Sequence, residues 1–244
     1  MFIPAFKKEK VKAIVTDVDG ILTENRRNFK LYLPAVRALR IISRKIPIVL
    51  ISANAYQVLA GLAKYLGIRG PVVAENGCIV FYKNKVYSVS RYSTRDIAND
   101  VLNKFRTYLK PSWQNNFRMY DFALKVKRNY IKKFDYIVEL VKEYVNAQYG
   151  KYCYVQQTFR TIFLTPIDGG KARGMQKALE FIGINPDQVL GIGDGINDID
   201  FLKISGLKAT VANADKEVKE VVDYVSPYPS GRGFIDIVRR LFMQ

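Results

Sequence analysis

The chain has 244 residues, 49% of them hydrophobic and 25% charged, and a formal net charge of +17. This length and composition allow a substantial buried core and exclude a disordered protein. The sequence contains no histidine, which excludes Ser-His catalysis, histidine-ligated zinc and imidazole bases, so any chemistry must rest on carboxylates, lysines and hydroxyl groups.

Membrane and disulfide signals are weak. No stretch approaches the roughly 20 apolar residues of a membrane span, and the first ten residues, MFIPAFKKEK, lack the apolar centre of a signal peptide. Cys78 and Cys153 lack metal-ligand spacing, so we expect reduced packing residues. We therefore expect a cytoplasmic protein that does not enter a membrane.

The first strong pattern is VKAIVTDVDGILTE, residues 11–24, in which an apolar run ends in Asp17 and Asp19 beside Gly20. The run is β-branched and too short for a helix, which favours a buried parallel strand. The acidic loop would then lie at the carboxyl edge of a sheet, where α/β proteins bind ligands. Carboxylates this close repel each other unless a cation or a shared proton relieves them. A metal site, an acid/base pair and an ordinary Asp-Gly turn are all open readings of this stretch.

Helices and strands alternate after this loop. Amphipathic helices are predicted over 33–45 and 56–66, and apolar strands over 46–51 and 71–74. This order predicts an α/β fold with a doubly wound, parallel, Rossmann-like core sheet.

The pattern changes from about residue 79. The segment FYKNKVYSV predicts a hairpin that turns at Lys83-Asn84, and residues 121–127 alternate as a strand does. Antiparallel signals and amphipathic helices then interrupt the β-α rhythm. We predict a smaller inserted α+β domain over 83–160, with the core formed by 1–82 and 161–244.

Most of the excess positive charge lies in the inserted domain, where residues 83–160 contain 16 Lys and Arg against 6 Asp and Glu. Three explanations are open: a nucleic-acid surface, a funnel for anionic metabolites, and a Lys- and Arg-rich surface of the kind found in thermophilic proteins.

The β-α rhythm resumes after the insertion. Strands are predicted over 161–165, 189–193 and 207–211, with a helix that begins at Lys171 and a closing helix over 234–242. The strand over 161–165 is expected to continue the core sheet.

Polar residues follow several of the predicted core strands, and in a doubly wound sheet they converge on one edge. They are Asp17, Asp19, Ser52, Asn54, Asp194, Asn197 and Asp198, with Lys171 at the start of a helix. Carboxylates without histidine or cysteine are hard oxygen ligands, which favours Mg²⁺. A hydroxyl and an ammonium group would hold phosphate oxygens.

These spacings resemble the haloacid dehalogenase superfamily over essentially the whole chain. DVDG matches its first motif, Ser52 its second, Lys171 its third and GDGINDIDF its fourth. The resemblance implies that Asp17 is the nucleophile and that Asp19 protonates the leaving oxygen and then activates water. It also implies that Asp17, the Asp19 backbone carbonyl and Asp194 hold Mg²⁺, with Asp198 as an additional or supporting acid.

The position and type of the insertion are similar to the type-two cap of the sugar-phosphate phosphatase branch. Ser52-Ala53-Asn54 is similar to the Ser-Gly-Asn of archaeal phosphoglycolate phosphatases, from which the chain departs at Ala53 and also at Ile21. We therefore expect a Mg²⁺-dependent phosphatase acting on a small anionic phosphorylated substrate, with 2-phosphoglycolate as the leading candidate.

Two alternatives accompany this expectation: a sugar-phosphate phosphatase or phosphomutase of the same superfamily, and a nucleic-acid-binding protein that uses the basic insertion. We do not expect specific nucleic-acid binding, and a homodimer is one open oligomeric state. In the loop QNNFRMY, Arg118 precedes a predicted strand, and we expect it to bind the substrate carboxylate.

Overall fold

The structure is a computed structural model that describes residues 11–242. The ten residues inspected for a signal peptide lie outside this range. The strands are β1 (Ala13–Thr16), β2 (Ile48–Ile51), β3 (Val72–Ala74), β4 (Ile79–Tyr82), β5 (Lys85–Ser88), β6 (Leu109–Pro111), β7 (Phe122–Val126), β8 (Cys153–Thr158), β9 (Thr161–Pro166), β10 (Val189–Ile192), β11 (Leu207–Thr210) and β12 (Tyr224–Val225). The α-helices are α1 (Leu33–Ile42), α2 (Tyr56–Leu66), α3 (Arg95–Lys104), α4 (Phe134–Tyr149), α5 (Lys171–Glu180), α6 (Ile199–Ile204), α7 (Lys216–Val221) and α8 (Ser230–Phe242).

The larger sheet has eight strands in the order β12-β11-β10-β1-β2-β3-β4-β5. Neighbours from β12 to β3 pair in parallel, and β4 and β5 add an antiparallel edge. The chain builds one half outward from β1 through β2 and β3 and the other through β10 to β12, so the strand order reverses between β1 and β10. The predicted doubly wound α/β core is confirmed.

Local sequence explains why these elements form. All four residues of β1 are buried, as expected for a central strand covered by helices on both faces. Helix α2 ends at Gly67, whose φ of 74° is left-handed and whose N–H donates to the carbonyls of Ala63 and Lys64. Glycine adopts this conformation without a Cβ penalty, so the predicted helix stop is confirmed.

The smaller sheet has four antiparallel strands in the order β6-β7-β9-β8. With α3 and α4 it forms a body that we call the cap, residues 95–166. The cap has its own hydrophobic cluster, separate from that of the core, which includes Val101, Leu124, Val138 and Leu164. The cap therefore packs around a hydrophobic core of its own.

The topology corrects two strand assignments. The Lys83-Asn84 turn joins β4 to β5 within the core sheet, so this hairpin is not part of the insertion. Strand β9 pairs with β7 and β8 of the cap and does not continue the core sheet. An apolar run such as TIFLT fits either sheet, because its periodicity carries no information about its partner. We propose domain limits that follow the sheets, in place of 83 and 160.

Two further expectations concern the two cysteines and membrane-spanning helices. Cys78 and Cys153 are buried free thiols, in agreement with their predicted packing role. Over residues 11–242, no helix is long and apolar enough to cross a membrane.

Candidate active site

The carboxyl ends of β1 and β10 lie side by side, so the two acidic loops meet. Asp17 directly follows β1, and its N–H donates to the carbonyl of Ile192, the last residue of β10, at 2.9 Å. Asp194 follows two residues after Ile192. This crevice lies where the strand order reverses, the usual ligand site of an open α/β sheet.

Asp17, Asp194 and Asp198 form a buried cluster in which one carboxylate oxygen of each lies within 4.8 Å of the others. Asp194 Oδ2 is buried without an aligned hydrogen-bond donor among the described residues, although Arg26 Nε forms an ion pair with it at 2.7 Å. Hard oxygens converging in this way are the ligands that Mg²⁺ prefers. The residues present therefore fit a divalent cation.

Both carboxylate oxygens of Asp198 are bonded to neighbouring protein groups. Its Oδ1 contacts the Lys171 ammonium group, and its Oδ2 accepts the N–H groups of Asp194 and Gly195, each at 2.9 Å. Both oxygens are thus engaged by the protein, which favours the supporting role over direct ligation. The side chain of Asp19 lies outside the cluster; the resemblance assigned its backbone carbonyl to the metal.

Burial makes the negative charge of this site costly. Desolvation raises the pKa of Asp17; Lys171 lowers it, and the neighbouring charges of Asp198 and Asp19 raise it again. Desolvation also raises the pKa of Asp194 well above its usual range, in spite of Arg26. Desolvation disfavours the charged form of a carboxylate, and nearby positive charge favours it. A bound cation would supply such charge.

Lys171 provides one internal counter-charge. It is buried at the start of α5, and its Nζ donates to Asp17 Oδ1 at 2.8 Å and to Asp198 Oδ1. Burial alone would lower the pKa of this ammonium group, but the two carboxylates outweigh that effect and raise it. Lys171 therefore stays charged, and one of its three N–H groups is left for a substrate oxygen.

Gly20 is required by the close approach of the two acidic loops. Its φ of +94° is left-handed, and a Cβ there would lie 2.3 Å from Asp194 Oδ2. Any larger residue would displace this carboxylate. The glycine of the DVDG motif thus allows the carboxylates of the cluster to converge.

Ser52 and Asn54 form a tight turn next to Asp19. Ser52 Oγ accepts from the Asn54 backbone N–H at 3.1 Å and from Asn54 Nδ2 at 3.0 Å, which leaves the Ser52 hydroxyl hydrogen free to donate to a phosphate oxygen. Asn54 Nδ2 also donates to Asp19 Oδ2 at 2.9 Å. The structure thus brings Asn54 onto the predicted acid/base, where the sequence suggested only phosphate binding.

The cap closes directly on this turn. Gln114 Nε2 donates to Asn54 Oδ1 at 2.7 Å, and Gln114 Oε1 accepts from the Ala55 N–H at 2.8 Å. Gln57 Nε2 on α2 donates to the Phe117 carbonyl at 3.1 Å. These bonds hold the cap loop against the Ser52 turn.

Arg118 lies in this cap loop but is already engaged by the protein. It is 4% exposed, and its two terminal nitrogens donate to the carbonyls of Asp121 and Ala53 at 2.8 and 2.7 Å. Its Nε is buried without a partner among the described residues. The geometry favours a role in joining cap to core over the predicted grip on a substrate carboxylate.

A second contact between cap and core passes through the turn after β3. The Glu75 carboxylate accepts the backbone N–H groups of Met119, Tyr120 and Asp121 at 2.8 to 3.2 Å. Asn76 Nδ2 donates to Asp121 Oδ2 at 2.6 Å. Asn197 Nδ2 in turn donates to Asn76 Oδ1 at 3.2 Å, so the predicted phosphate ligand Asn197 faces this network.

Sequence reasoning missed two residues of the site. Arg26 pairs with Asp194 and, through its terminal nitrogen, with Asp215 at 2.6 Å, but nothing in the local sequence distinguishes it from Arg27. Gln114 lies in the loop inspected for Arg118, and no periodicity or motif marks it. Both act through contacts that are distant in sequence.

The sequence is similar to a known protein family and to individual proteins over most of its length. The sequence profile of the haloacid dehalogenase-like hydrolases matches residues 14–133 and 111–237. A phosphoglycolate phosphatase of Staphylothermus marinus is 38% identical, covering 95% of this chain and 98% of its own. One from Sulfolobus acidocaldarius is 34% identical, covering 95% and 96%.

Solved structures show the same fold. Thermoplasma acidophilum protein 0175 superposes with a TM-score of 0.81 at 24% identity, covering 96% of this chain and 99% of its own. A haloacid dehalogenase subclass IIB sugar phosphatase, BT4131, superposes with a TM-score of 0.73 at 16% identity, covering 96% and 99%.

Proposed function

The chain belongs to the haloacid dehalogenase-like hydrolases, and on this basis we propose that it hydrolyses 2-phosphoglycolate to glycolate and phosphate through a phosphorylated Asp17. It is a phosphoric monoester hydrolase by family. The observation that carries the mechanism is the arrangement of Asp17 and Lys171 beside Asp194, with Asp19 held by Asn54.

In the first step the Asp17 carboxylate attacks phosphorus and the ester P–O bond breaks. The leaving oxygen takes a proton from Asp19, while the free N–H of Lys171 and the Ser52 hydroxyl donate to phosphoryl oxygens. A phosphate monoester reacts very slowly in water, and a covalent intermediate divides the difficult reaction into two easier steps.

In the second step water attacks the phosphorus of the Asp17 phosphate and gives a proton to the Asp19 carboxylate. The bond between phosphorus and Asp17 breaks, so Asp17 regains its carboxylate and Asp19 its proton. General acid–base catalysis by a group placed like Asp19 contributes typically 10² to 10⁴-fold.

Asp17 and Asp194, with the Asp19 backbone carbonyl, would hold Mg²⁺, and Asp198 would support them. When bound, the ion neutralises the carboxylates and stabilises the charge that develops on phosphoryl oxygens. Arg26 would hold the Asp194 carboxylate in place through its ion pair.

The preference for a small substrate rests on the cap loop and on the relatives. The Gln114 and Arg118 bonds bring the cap directly onto the Ser52 turn, and the relatives named above carry the name phosphoglycolate phosphatase. A hexose phosphate would need a roomier pocket. The net positive charge of the inserted region would attract such an anionic substrate.

A screen of phosphorylated metabolites with Mg²⁺ tests this function. We expect the highest kcat/KM for 2-phosphoglycolate, activity lost in excess chelator and restored by Mg²⁺, and poor replacement by Ca²⁺, whose looser shell holds reactants less rigidly. A higher kcat/KM for a hexose phosphate would support the sugar-phosphatase alternative, and transfer between two sugar positions would support a phosphomutase.

A further inference from the structure

Gln114 is the cap residue that touches the catalytic machinery through Asn54. It lies on a single 3-10 turn, Trp113–Asn116, whose Ser112 cap accepts the Gln114 N–H. Its half-buried side chain spans from the cap to the core and bonds both Asn54 and Ala55 there. No other hydrogen bond among residues 11–242 connects a cap side chain to Asn54, the partner of Asp19.

The direction of these hydrogen bonds is fixed by chemistry. A backbone N–H can only donate, so the Ala55 N–H must face Gln114 Oε1. Gln114 Nε2 therefore points at Asn54, which must present Oδ1 to accept it at 2.7 Å. The Nδ2 of Asn54 is thereby directed to Asp19 Oδ2 at 2.9 Å. Each amide orientation determines the next, from the core backbone through the cap to the carboxyl group.

We propose that Gln114 is a positioning residue for Asp19: docking of the cap orients the Asn54 amide, which fixes one oxygen of Asp19 and presents the other to the reacting ester. This inference rests on the proposed function, in which Asp19 transfers the proton. It explains why a cap loop makes paired hydrogen bonds to a turn that otherwise belongs to the core.

The physical consequence concerns proton transfer. Without Gln114, only the contact with Ser52 Oγ holds the Asn54 side chain, apart from Asp19 itself. Because a hydroxyl can also donate to an amide oxygen, this contact does not fix the orientation of the amide. The amide can then flip, and Asp19 loses the donor that holds its carboxyl plane. A reacting group that is misplaced by about 1 Å can lose on the order of 10²-fold in rate. Proton donation would therefore be efficient only when the cap loop is docked on the Ser52 turn.

The test uses leaving groups that differ in their need for a proton. The alkoxide that leaves 2-phosphoglycolate is strongly basic and depends on Asp19, whereas p-nitrophenolate leaves p-nitrophenyl phosphate with little help. The value of kcat/KM reports all steps up to and including the first irreversible step, which is the phosphorylation of Asp17. We expect Gln114→Ala to lower it about tenfold or more for 2-phosphoglycolate and less than about threefold for p-nitrophenyl phosphate.

Gln57→Ala is the matched control, because it removes another bond between core and cap loop without touching Asn54. It should leave the ratio of the two kcat/KM values unchanged. Gln114→Glu keeps an acceptor for the Ala55 N–H but loses the donor to Asn54, so it should show the same selective loss even if Gln114→Ala folds poorly. A wild-type ratio in Gln114→Glu, or equal losses on both substrates in both variants, would overturn the proposal.

Two reference variants separate this inference from the proposed function. Asp19→Asn should show a larger selective loss; if it shows none, the acid role fails and the inference fails with it. If Asp19→Asn is selective but the Gln114 variants are not, only the inference fails. Gln114→Ala combined with Asn54→Ala should be no worse than Asn54→Ala alone, whereas additive losses would contradict action through Asn54.

Discussion

The ammonium group of Lys171 lies 2.8 Å from Asp17 Oδ1, although the two residues are 154 positions apart in the chain. The first turn of α5 and the end of β1 thus form one buried ion pair, which Asp198 extends on the other side. Removing the lysine from this buried group would leave the charges of the two carboxylates uncompensated, so a substitution at Lys171 should destabilise the folded protein.

Lys171→Met should lower the free energy of unfolding by about 3–5 kcal/mol in the absence of Mg²⁺. Saturating Mg²⁺ should recover part of this loss, because the ion binds the folded carboxylates and supplies the missing positive charge. Denaturant unfolding with and without Mg²⁺ measures both effects. Lys177→Met, which breaks an exposed pair with Glu180 on the same helix, should cost less than about 1 kcal/mol. Equal losses in the two variants would contradict the role of Lys171.

Asp17→Asn should abolish hydrolysis of p-nitrophenyl phosphate, because the amide cannot form the phosphorylated intermediate. Asp19→Asn should slow turnover by about 10² to 10⁴-fold and keep most of the metal affinity, since its carboxylate lies outside the cluster. Steady-state kinetics and Mg²⁺ titration check the pair of outcomes. Near-normal turnover by Asp17→Asn would exclude the covalent mechanism.

Gly20→Ala should reduce kcat and weaken Mg²⁺ binding, because the new Cβ would lie 2.3 Å from Asp194 Oδ2. The left-handed backbone adds a strain of about 1–2 kcal/mol. Gly67→Ala is the matched control: its φ of +74° imposes similar strain, but the space around its Cβ is open. We expect Gly67→Ala to lose stability and keep kcat. If both variants retain wild-type kcat, Gly20 is not what shapes the site.

The stability of the protein should depend on pH through Asp121. Desolvation raises the pKa of Asp121 to about 7, although Arg118 and the Asn76 amide lower it. The folded state thus holds this proton more tightly than the unfolded chain, so the stabilisation is complete below the unfolded pKa of 3.8 and is lost as the pH rises through about 7. The slope should reach at most about 1.4 kcal/mol per pH unit.

Asp121→Asn should flatten this part of the pH profile, as measured by denaturant unfolding at several pH values between the two limits. Asp96→Asn alters an exposed carboxyl of the same cap and should leave the wild-type profile in place. A profile of wild-type steepness in Asp121→Asn would assign the dependence to other groups.

The net charge of +17 predicts a moderate fall of kcat/KM with added salt, because screening weakens the attraction of a small anion. A protein built for nucleic acid would show tight binding instead, with a log-log salt slope of about 0.9 per phosphate neutralised on duplex DNA. Fluorescence anisotropy with labelled duplex and single strands, beside the kinetics, distinguishes the two. Tight selective binding without turnover of any phosphate ester would favour the nucleic-acid alternative.

The sequence by itself determined the core fold and the acidic centre. Short apolar runs ending in polar residues are local signals, and parallel strands bring their carboxyl ends to one edge of the sheet. For this reason Asp17, Asp194, Asp198 and Lys171 could be placed together before any contact was known. Gly67 ended α2 as predicted because its left-handed backbone is also a local property.

The tertiary structure decided which sheet each ambiguous strand joins and how the cap meets the core. The β9 run fits either sheet, and only its pairing with β7 and β8 settles the matter. Arg118 carried the right charge for a carboxylate, yet both of its terminal nitrogens donate to backbone carbonyls, those of Asp121 and Ala53. Gln114 carried no signal at all, because a polar loop residue gains its role only from the partners that folding brings within hydrogen-bond distance.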